Sequence, residues 1–261
     1  MNYSRKLVTA SILSLITACL LHFSVAAQTT PRFAVLAIAE NGGHHIAYST
    51  EARRWLNRLA ADSNFVIDYI TNTNSINDTM LARYQLFIQL DYPPYGWTPS
   101  AVAAFEKYIR EGRGGWLGFH HASLLGEFDG FTMWQWFSEF MGGIRYKNYI
   151  AGFVSATVHV EDKLHPVMKG VPDSFTIYKD EFYVYDKSPR PNVRVLANVD
   201  EQTYRPASDI IMGDHPVIWS NPQVPARNLY IFMGHSPELF SNAAYTKLFR
   251  NAIFWAAARH P

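Results

Sequence analysis

The feature that most constrains this chain is a regular alternation of short apolar runs with longer amphipathic stretches. Residues 33–38 form a continuous apolar run, which is typical of a strand buried on both faces of a sheet. Residues 47–61 then have the apolar spacing of a helix, and residues 65–70 form the next apolar run. A strand–helix–strand order predicts parallel neighbouring strands, because each helix returns the chain to the same edge of the sheet.

The same order continues through the first half of the chain. Residues 85–90 form a third apolar run, and Thr98-Pro99 begins a helix with a capping hydroxyl and a proline at the first helical position. Gly112 ends this helix, and residues 116–119 form the next strand. We therefore predict an α/β fold with an open, mostly parallel sheet and helices on both faces.

Beyond about Gly143 the pattern changes to alternating strands separated by prolines, which predicts an antiparallel extension of the sheet. The strands expected in this extension are residues 153–160, 193–197 and 217–219, and a further strand at residues 229–233 follows it. A helix at about residues 242–259 closes the chain. Because no linker-like composition separates the two halves, we predict a single domain over residues 28–261.

The first 27 residues have the pattern of a secretory signal. Arg5 and Lys6 precede an apolar stretch at residues 7–25, and small side chains lie just before Gln28. We therefore predict cleavage after Ala27 and a secreted or periplasmic protein. A retained membrane anchor is the alternative for the same stretch.

Cys19 is the only cysteine of the chain, and it ends a segment, residues 16–19, that resembles a bacterial lipobox. A lipoprotein anchored at Cys19 is therefore a second alternative, and lipidation there is the only route by which the predicted exported form would contact a membrane. Whichever site is processed, the predicted domain has no disulfide and no cysteine nucleophile.

Charge argues against a nucleic-acid partner. The chain has 23 basic and 22 acidic side chains, and removal of Arg5 and Lys6 with the leader leaves 21 basic ones without any block of like charge. The expected partner is a small molecule, and the sequence leaves a homo-oligomer open.

Ionisable side chains follow four of the predicted strands at the point where each strand ends. They are His44 and His45, Asp91 and Tyr92, His120 and His121, and His235 and Glu238. In an open α/β sheet, ligands bind outside the carboxyl ends of the strands, where these loops converge. We therefore predict that these side chains line one shared cleft.

Residues 118–123 make the sharpest of these exits, because a strand enters a tight turn through small residues and places His120 at the turn. A histidine there acts as a general acid or base at neutral pH. The clustered histidines, together with Asp91, also suit a divalent metal, but no local ligand spacing such as HExxH is present. We predict no cofactor, and a divalent metal stays an open alternative.

Two further features are ambiguous. Asp180 and Glu181 lie between apolar segments and form either a carboxylate pair of the cleft or a solvated turn. The aromatic residues Tyr92, Tyr95, Trp97, Trp134 and Trp136 are suited either to stack on the apolar face of a sugar ring or to pack in the core.

Several motifs occur in a characteristic order. They are residues 91–93 (DYP), 114–123 (GGWLGFHHAS), 140–143 (FMGG), 180–183 (DEFY) and 234–238 (GHSPE). From about Arg32 to the C terminus, the chain resembles the ThuA-like, or trehalose-utilisation, family. That family is similar in fold to class I glutamine amidotransferases, so the resemblance implies a flavodoxin-like sheet.

In glutamine amidotransferases the strand-to-helix elbow carries a catalytic cysteine, and a later His-Pro-Glu completes the triad. Here His120 occupies the elbow, and residues 235–238 resemble the later motif with a serine inserted. Glutamine hydrolysis through a thioester is therefore excluded. The resemblance instead implies metabolism of disaccharides or their keto derivatives.

From these observations we expect an exported protein of disaccharide or keto-disaccharide catabolism. The expected catalytic residues are His120, His235 and Glu238, and the expected substrate-binding residues are His44, His45, Asp91, Tyr92, His121 and Glu181. The alternatives are a sugar-binding protein without catalysis and a metal-dependent hydrolase.

Overall fold

The structure is a computed structural model that describes residues 30–40 and 46–258. The leader, Cys19, His44 and His45 lie outside the described residues, so the interpretations that rest on them stay predictions. Residues Pro31–Pro261 form one compact unit. Within the described ranges, no helix is both long and apolar enough to cross a membrane.

The strands and helices, in chain order, have the following bounds. The strands are β1 Ala34–Ile38, β2 Val66–Ile70, β3 Leu86–Gln89, β4 Gly115–Phe119, β5 Tyr146–Tyr149, β6 Val154–Val160, β7 Ser174–Asp180, β8 Tyr183–Tyr185, β9 Arg194–Arg205, β10 Pro216–Ser220 and β11 Asn228–Ile231. The helices are α1 Ile46–Ser63, α2 Asp78–Leu81, α3 Pro99–Arg110, α4 Gln135–Phe140 and α5 Ala243–Ala257.

Nine strands form one sheet in the order β2-β1-β3-β4-β11-β10-β9-β6-β7. The first five in this order are parallel, and the register pairs Ile38 with Gln89, Gln89 with Gly118 and Phe119 with Ile231. The carboxyl ends of β1, β3, β4 and β11 therefore lie at one edge of the sheet. This part confirms the predicted parallel α/β architecture.

The remaining pairings, from β11 through β10, β9 and β6 to β7, are antiparallel, which confirms the predicted extension. A separate two-stranded antiparallel sheet pairs β5 with β8. Together, β7 and β8 bring residues 180–183 to the edge of the main sheet where the parallel strands end, as the contacts described below establish.

Helices cover both faces of the sheet. Successive side chains of a strand point to opposite faces, so the contacts of two β4 side chains show which helices lie on each face. On one side of β4, Trp116 packs against Phe105 of α3 and Phe140 of α4, with ring centroids 6.5 and 5.1 Å apart. On the other side, Phe119 packs against Phe249 of α5 at 4.5 Å. Phe249 in turn stacks on Trp55 of α1, so α1 and α5 share this face.

The helix predicted to start at Thr98-Pro99 has the expected cap. The Thr98 side chain accepts a hydrogen bond from the backbone N–H of Ala101 at 3.3 Å, and Pro99 is the first helical residue. Beyond its end, Gly112 takes a positive φ of 63°, which only glycine adopts without strain.

Candidate active site

The strand-to-turn elbow at the end of β4 presents His120. This residue is fully buried and has a φ of +41°, in the left-handed region that non-glycine residues rarely adopt. Glycines make room for the turn, since a Cβ on Gly118 would lie 2.1 Å from the Trp116 ring and one on Gly234 would lie 2.8 Å from the Cβ of His120. The local sequence thus permits a strained histidine between a strand and a 3₁₀ turn, as the elbow interpretation predicted.

Buried hydroxyl groups stabilise the strained backbone of His120. The Ser123 hydroxyl donates to the His120 carbonyl at 2.9 Å, and the Tyr230 hydroxyl donates to the same carbonyl at 3.0 Å. The Tyr185 hydroxyl donates to the Ser123 oxygen at 2.8 Å. These three side chains are buried, so each hydrogen bond is protected from exchange with water.

The hydrogen bonds of the His120 ring define its tautomer. Its Nδ1 lies 3.3 Å from the Phe232 carbonyl oxygen, which can only accept, so Nδ1 carries a proton. In the neutral ring, the lone pair is therefore on Nε2. The Tyr183 hydroxyl lies 2.7 Å from this Nε2 and is positioned to donate to it.

Glu181 and His235 complete a group around the same nitrogen. The Glu181 Oε2 is 3.2 Å from His120 Nε2 and 3.3 Å from His235 Nδ1, and the two ring nitrogens are 3.4 Å apart. We call His120, Glu181, Tyr183 and His235 the reactive cluster. Glu181 is 16% exposed and His235 is 11% exposed, so these two side chains form the solvent-facing side of the cluster, while His120 and Tyr183 are buried behind them.

The surroundings of Glu181 favour its charged form. Burial alone raises the pKa of its carboxyl, but hydrogen bonds from His120 in its protonated form, from His235 and from Tyr183 outweigh that effect and hold the pKa well below its usual range. Burial and the nearby charge of Glu181 raise the pKa of Tyr183 well above its ordinary value. At neutral pH, Glu181 is therefore a carboxylate beside a neutral phenol.

Asp180 positions the loop that carries His235. Its carboxylate accepts hydrogen bonds from the backbone N–H groups of Gly234, His235 and Ser236 at 3.2, 3.0 and 2.9 Å. Complete burial raises the pKa of Asp180 to about 6, while these backbone donors act in the opposite direction. The adjacent residues Asp180 and Glu181 thus have different roles, the first holding the loop and the second contacting the histidines.

A second acidic group lies beside the reactive cluster. Asp91 follows β3, is fully buried and has a φ of +44°. Its Oδ1 is 3.5 Å from Nδ1 of His121, and Glu40 Oε2 is 3.7 Å from the same nitrogen. Burial, followed by the charge of Glu40, raises the pKa of Asp91 well above its ordinary value. The rings of His120 and His121 stack 5.3 Å apart, which links the two groups.

The structure brings together most of the site residues expected from the sequence. The residues that it gathers at the edge of the sheet are Asp91, His120, His121, Glu181 and His235. Tyr92 follows Asp91 directly and is half-buried, and burial followed by the charge of Glu40 raises its pKa. The solvated-turn interpretation of Asp180 and Glu181 is wrong, since the first is fully buried and both contact the residues of the site.

Glu238 does not lie in the reactive cluster. It is exposed at the start of a 3₁₀ turn, where its backbone N–H, rather than its carboxylate, bonds to the Ser236 hydroxyl at 3.2 Å. The carboxylate that contacts both histidines is Glu181. The inserted Ser236 caps this turn.

Sequence reasoning missed Tyr183 and Glu40 as members of the site. The signal for Tyr183 was its place in the motif at residues 180–183, two positions after Glu181. Glu40 follows β1 at the same edge as the other strand exits, and its charge was overlooked beside His44 and His45. Trp97, by contrast, packs in the core against Phe105 at 5.4 Å, so the packing alternative holds for this residue.

Comparison with known proteins connects this site to a family. The ThuA family, described as trehalose utilisation, matches residues 34–256. A putative ThuA-like protein from Bacteroides uniformis, known from its crystal structure, is 30% identical, and the match covers 87% of this chain and 92% of that chain with a TM-score of 0.77. No match was found among curated proteins.

More distant structures agree in fold. A putative ThuA-like protein from Parabacteroides merdae is 20% identical over 88% of this chain and 91% of that chain, with a TM-score of 0.63. The glutaminase domain of the Trypanosoma brucei CTP synthase is 8% identical over 85% of this chain and 94% of that chain, with a TM-score of 0.50. The fold is therefore that of glutamine amidotransferase-like proteins, and the chain belongs to the ThuA, or trehalose-utilisation, family.

Proposed function

We propose that this protein is an enzyme of carbohydrate catabolism that cleaves a glycoside or keto-glycoside at the reactive cluster. Membership of a trehalose-utilisation family supports a role in carbohydrate metabolism. The observation that carries the proposal is the environment of His120 Nε2, a basic nitrogen that lies 2.7 Å from a phenol and 3.2 Å from a carboxylate. Such a nitrogen is equipped to take and return a proton.

A keto-sugar suits this arrangement better than an ordinary glycoside. Direct glycoside hydrolysis requires two opposed carboxyl groups about 5–9.5 Å apart on either side of the scissile bond. In the reactive cluster, one carboxylate is surrounded instead by two imidazoles and a phenol. These groups are suited to removing a proton from the carbon next to a carbonyl and to stabilising the negative charge that then develops on the carbonyl oxygen.

In the proposed reaction of a 3-keto-glycoside, His120 Nε2 removes the proton from C2, and the electron pair moves into an enolate with the C3 carbonyl. When the enolate collapses, a C1–C2 double bond forms and the C1–oxygen bond breaks. The departing oxygen takes a proton from the cluster, which releases the second sugar. Addition of water to C1 and return of a proton to C2 complete a net hydrolysis.

Each remaining member of the cluster has a role in this sequence. Glu181 stabilises the imidazolium that His120 becomes, at a distance of 3.2 Å. Tyr183 stays a neutral phenol; once His120 Nε2 holds the proton from C2, the phenol hydrogen no longer bonds to this nitrogen and is donated to the developing enolate oxygen. His235, 3.3 Å from the same carboxylate, supplies the proton to the leaving oxygen.

The test is product detection by mass spectrometry after incubation of the purified protein with trehalose and with its 3-keto derivative. The wild type and the His159→Ala control, which removes a 54% exposed histidine from β6, are expected to release monosaccharide from the 3-keto derivative and not from trehalose. His120→Ala is expected to release none. Binding of these sugars without any product would instead support the sugar-binding alternative, and equal turnover by His120→Ala would refute the assignment.

A metal-dependent hydrolase is a second candidate, favoured by one observation. Nε2 of His120, Oε2 of Glu181 and Nδ1 of His235 form a nearly equilateral triangle with sides of 3.2–3.4 Å. Such a triangle accommodates a divalent ion about 2.0–2.2 Å from each atom, with open positions for water or substrate. The bond from His120 Nδ1 to a backbone carbonyl is also the outer contact that metal-binding histidines make.

Metal content and chelation separate the two mechanisms. If the second candidate holds, the purified protein contains about one equivalent of metal that His120→Ala loses, and chelation abolishes product formation. If the acid–base mechanism holds, exhaustive chelation leaves the rate of product formation unchanged.

We also propose that the protein is exported, on the evidence of its leader alone. The intact mass of the protein recovered from its native host distinguishes cleavage before Gln28 from lipidation at Cys19. A mass that includes residues 1–27 would refute both forms of processing.

A further inference from the structure

A continuous row of aromatic rings leads outward from the reactive cluster. The Tyr183 ring packs against Tyr146 with centroids 5.4 Å apart, and Tyr146 packs against Phe128 at 5.7 Å. Tyr95 then stacks on Phe128 at 5.3 Å and on Phe131 at 6.1 Å. We call Tyr95, Phe128, Phe131 and Tyr146 the aromatic wall. Its inner end is one ring away from the hydroxyl that contacts His120.

A tight turn fixes two rings of this wall. Phe128 and Phe131 exchange backbone hydrogen bonds of 3.3 and 2.8 Å, and the two residues between them, Asp129 and Gly130, have φ values of +52° and +81°. Positive φ at both central positions is the pattern of a type I′ turn, for which Asp-Gly is a preferred sequence. The turn therefore holds both phenylalanine rings on one side, against Tyr95.

Glycines leave space for these rings. A Cβ on Gly126 would lie 2.9 Å from the Phe128 ring, and one on Gly96 would lie 3.4 Å from the Phe131 ring. Gly96 also has a φ of +70°, which disfavours any other residue there. Backbone conformation and side-chain space thus combine to pre-order a surface whose rings need little rearrangement on binding, which lowers the entropic cost of recognition.

Part of this pre-ordered surface is open to solvent. Phe131 is 49% exposed, and across the reactive cluster Phe153 is also 49% exposed, with its ring 5.0 Å from that of His235. Tyr95, Phe128 and Tyr146 are half-buried beside Phe131, so the wall presents a contiguous apolar surface next to a polar site, which is the setting of a ligand-binding groove. The wall also has polar groups, since burial and then the nearby charge of the Asp129 carboxylate raise the pKa of the Tyr95 hydroxyl.

We propose that the aromatic wall is a second sugar subsite, which holds the part of a saccharide beyond the bond that is cleaved. A pyranose ring has an apolar C–H face that stacks on aromatic rings and hydroxyls around its rim that bond to groups such as Tyr95 and Asp129. The continuity of the wall with Tyr183 places this second ring next to the reacting one. The inference rests on the proposed function and adds to it a preference for disaccharides or longer chains over monosaccharides.

The experiment compares Phe131→Ala with Tyr178→Ala, which removes a 62% exposed ring from β7 outside the wall. Calorimetric titration with trehalose and with glucose, together with KM for 3-keto-trehalose, is measured for both variants and the wild type. We expect Phe131→Ala to weaken trehalose binding and raise KM by about two- to tenfold, while glucose binding is unchanged. Tyr178→Ala is expected to match the wild type in all three measurements.

A second variant tests the turn without removing a ring. Gly130→Ala has open space around its added methyl group but a φ of +81° that alanine resists, so it is expected to weaken trehalose binding with both phenylalanines retained. Thermal unfolding of each variant checks that the fold is intact.

Three results would overturn the inference. If Phe131→Ala binds trehalose and glucose as the wild type does, only the subsite is refuted. If the wild type neither binds nor turns over any of these sugars, the proposed function fails and the subsite with it. If Phe131→Ala converts a wild-type dimer to a monomer in size-exclusion chromatography without affecting sugar binding, the wall is a contact between two copies of the chain.

Discussion

Exchange of Glu181 for glutamine is the substitution that most directly tests the reactive cluster, and Glu238→Gln is its matched control. Both changes remove one negative charge from a glutamate while preserving its shape. Glu181 contacts two histidines, whereas Glu238 is exposed on a 3₁₀ turn. The two variants therefore test whether the functional carboxylate is Glu181, which contacts the histidines in the structure, or Glu238, which the sequence predicted.

The size of the effect follows from the distance between the charges. The Glu181 carboxylate and a protonated His120 at 3.2 Å attract each other by about 5 kcal/mol at an effective dielectric constant of about 20. The side-chain oxygen of glutamine retains part of this attraction as a hydrogen bond. Because Glu181 is 16% exposed, solvent also screens part of the attraction. A loss of about 2–3 kcal/mol remains, which corresponds to roughly a 30- to 150-fold lower kcat for Glu181→Gln.

Steady-state kinetics with 3-keto-trehalose between pH 5 and pH 9 measure this effect. In Glu181→Gln, the imidazolium of His120 is less stabilised, so kcat is expected to be lower. For the same reason, the fall in rate at acidic pH is expected to move to lower pH. Glu238→Gln is expected to keep the wild-type rate and pH profile. Equal effects of the two substitutions, or a larger one for Glu238→Gln, would refute the assignment of Glu181.

Three further outcomes are expected from the same geometry. Tyr183→Phe retains the ring contact with His120 at 4.4 Å but loses the hydroxyl, so kcat should fall about 10- to 100-fold with little change in melting temperature. Asp180→Asn places an amide donor against the backbone N–H groups of Gly234 and His235, so the free energy of unfolding measured in urea should fall by about 2–4 kcal/mol. An unchanged free energy of unfolding would show that Asp180 does not hold the loop that carries His235. Because the folded-state pKa of Glu181 lies below its ordinary value of 4.5, its charge stabilises the fold above that pH, and this contribution is lost as pH falls toward the lower folded-state pKa. The stability difference between wild type and Glu181→Gln should therefore shrink between pH 5 and pH 3 in urea titrations, and a difference that grows would contradict this sign.

The strand exits were predictable because of a property of parallel sheets. Once β1, β3, β4 and β11 are recognised as parallel, their carboxyl ends must lie at one edge, and Asp91, His120 and His235 come together without any knowledge of side-chain contacts. The elbow at His120 was predictable from the small residues around it. These inferences depend on local sequence and on one rule of topology.

Glu181 and Tyr183 could not be placed in the same way. Glu181 lies in the turn from β7 to β8, and Tyr183 is the first residue of β8. β7 is at the end of the antiparallel half of the sheet, whose pairings join residues distant in sequence. The strands β5 and β8 have only four and three residues, too few for an alternating pattern to be recognised. Local sequence patterns therefore could not show whether Glu181 or Glu238 contacts the histidines. That depends on where the antiparallel half of the sheet places the turn from β7 to β8.

The distribution of backbone strain gives an independent argument that this edge of the sheet is functional. In the described part of the chain, five non-glycine residues have a positive φ, and four of them are Asp91, His120, Asp129 and Lys179. The first two belong to the site, the third forms the turn of the aromatic wall, and the fourth precedes Asp180. Each such conformation costs about 1–3 kcal/mol and persists only where surrounding contacts impose it. The strained elbow holds the His120 ring with Nε2 facing Tyr183, Glu181 and His235, and this geometry supports the proposed role of that nitrogen.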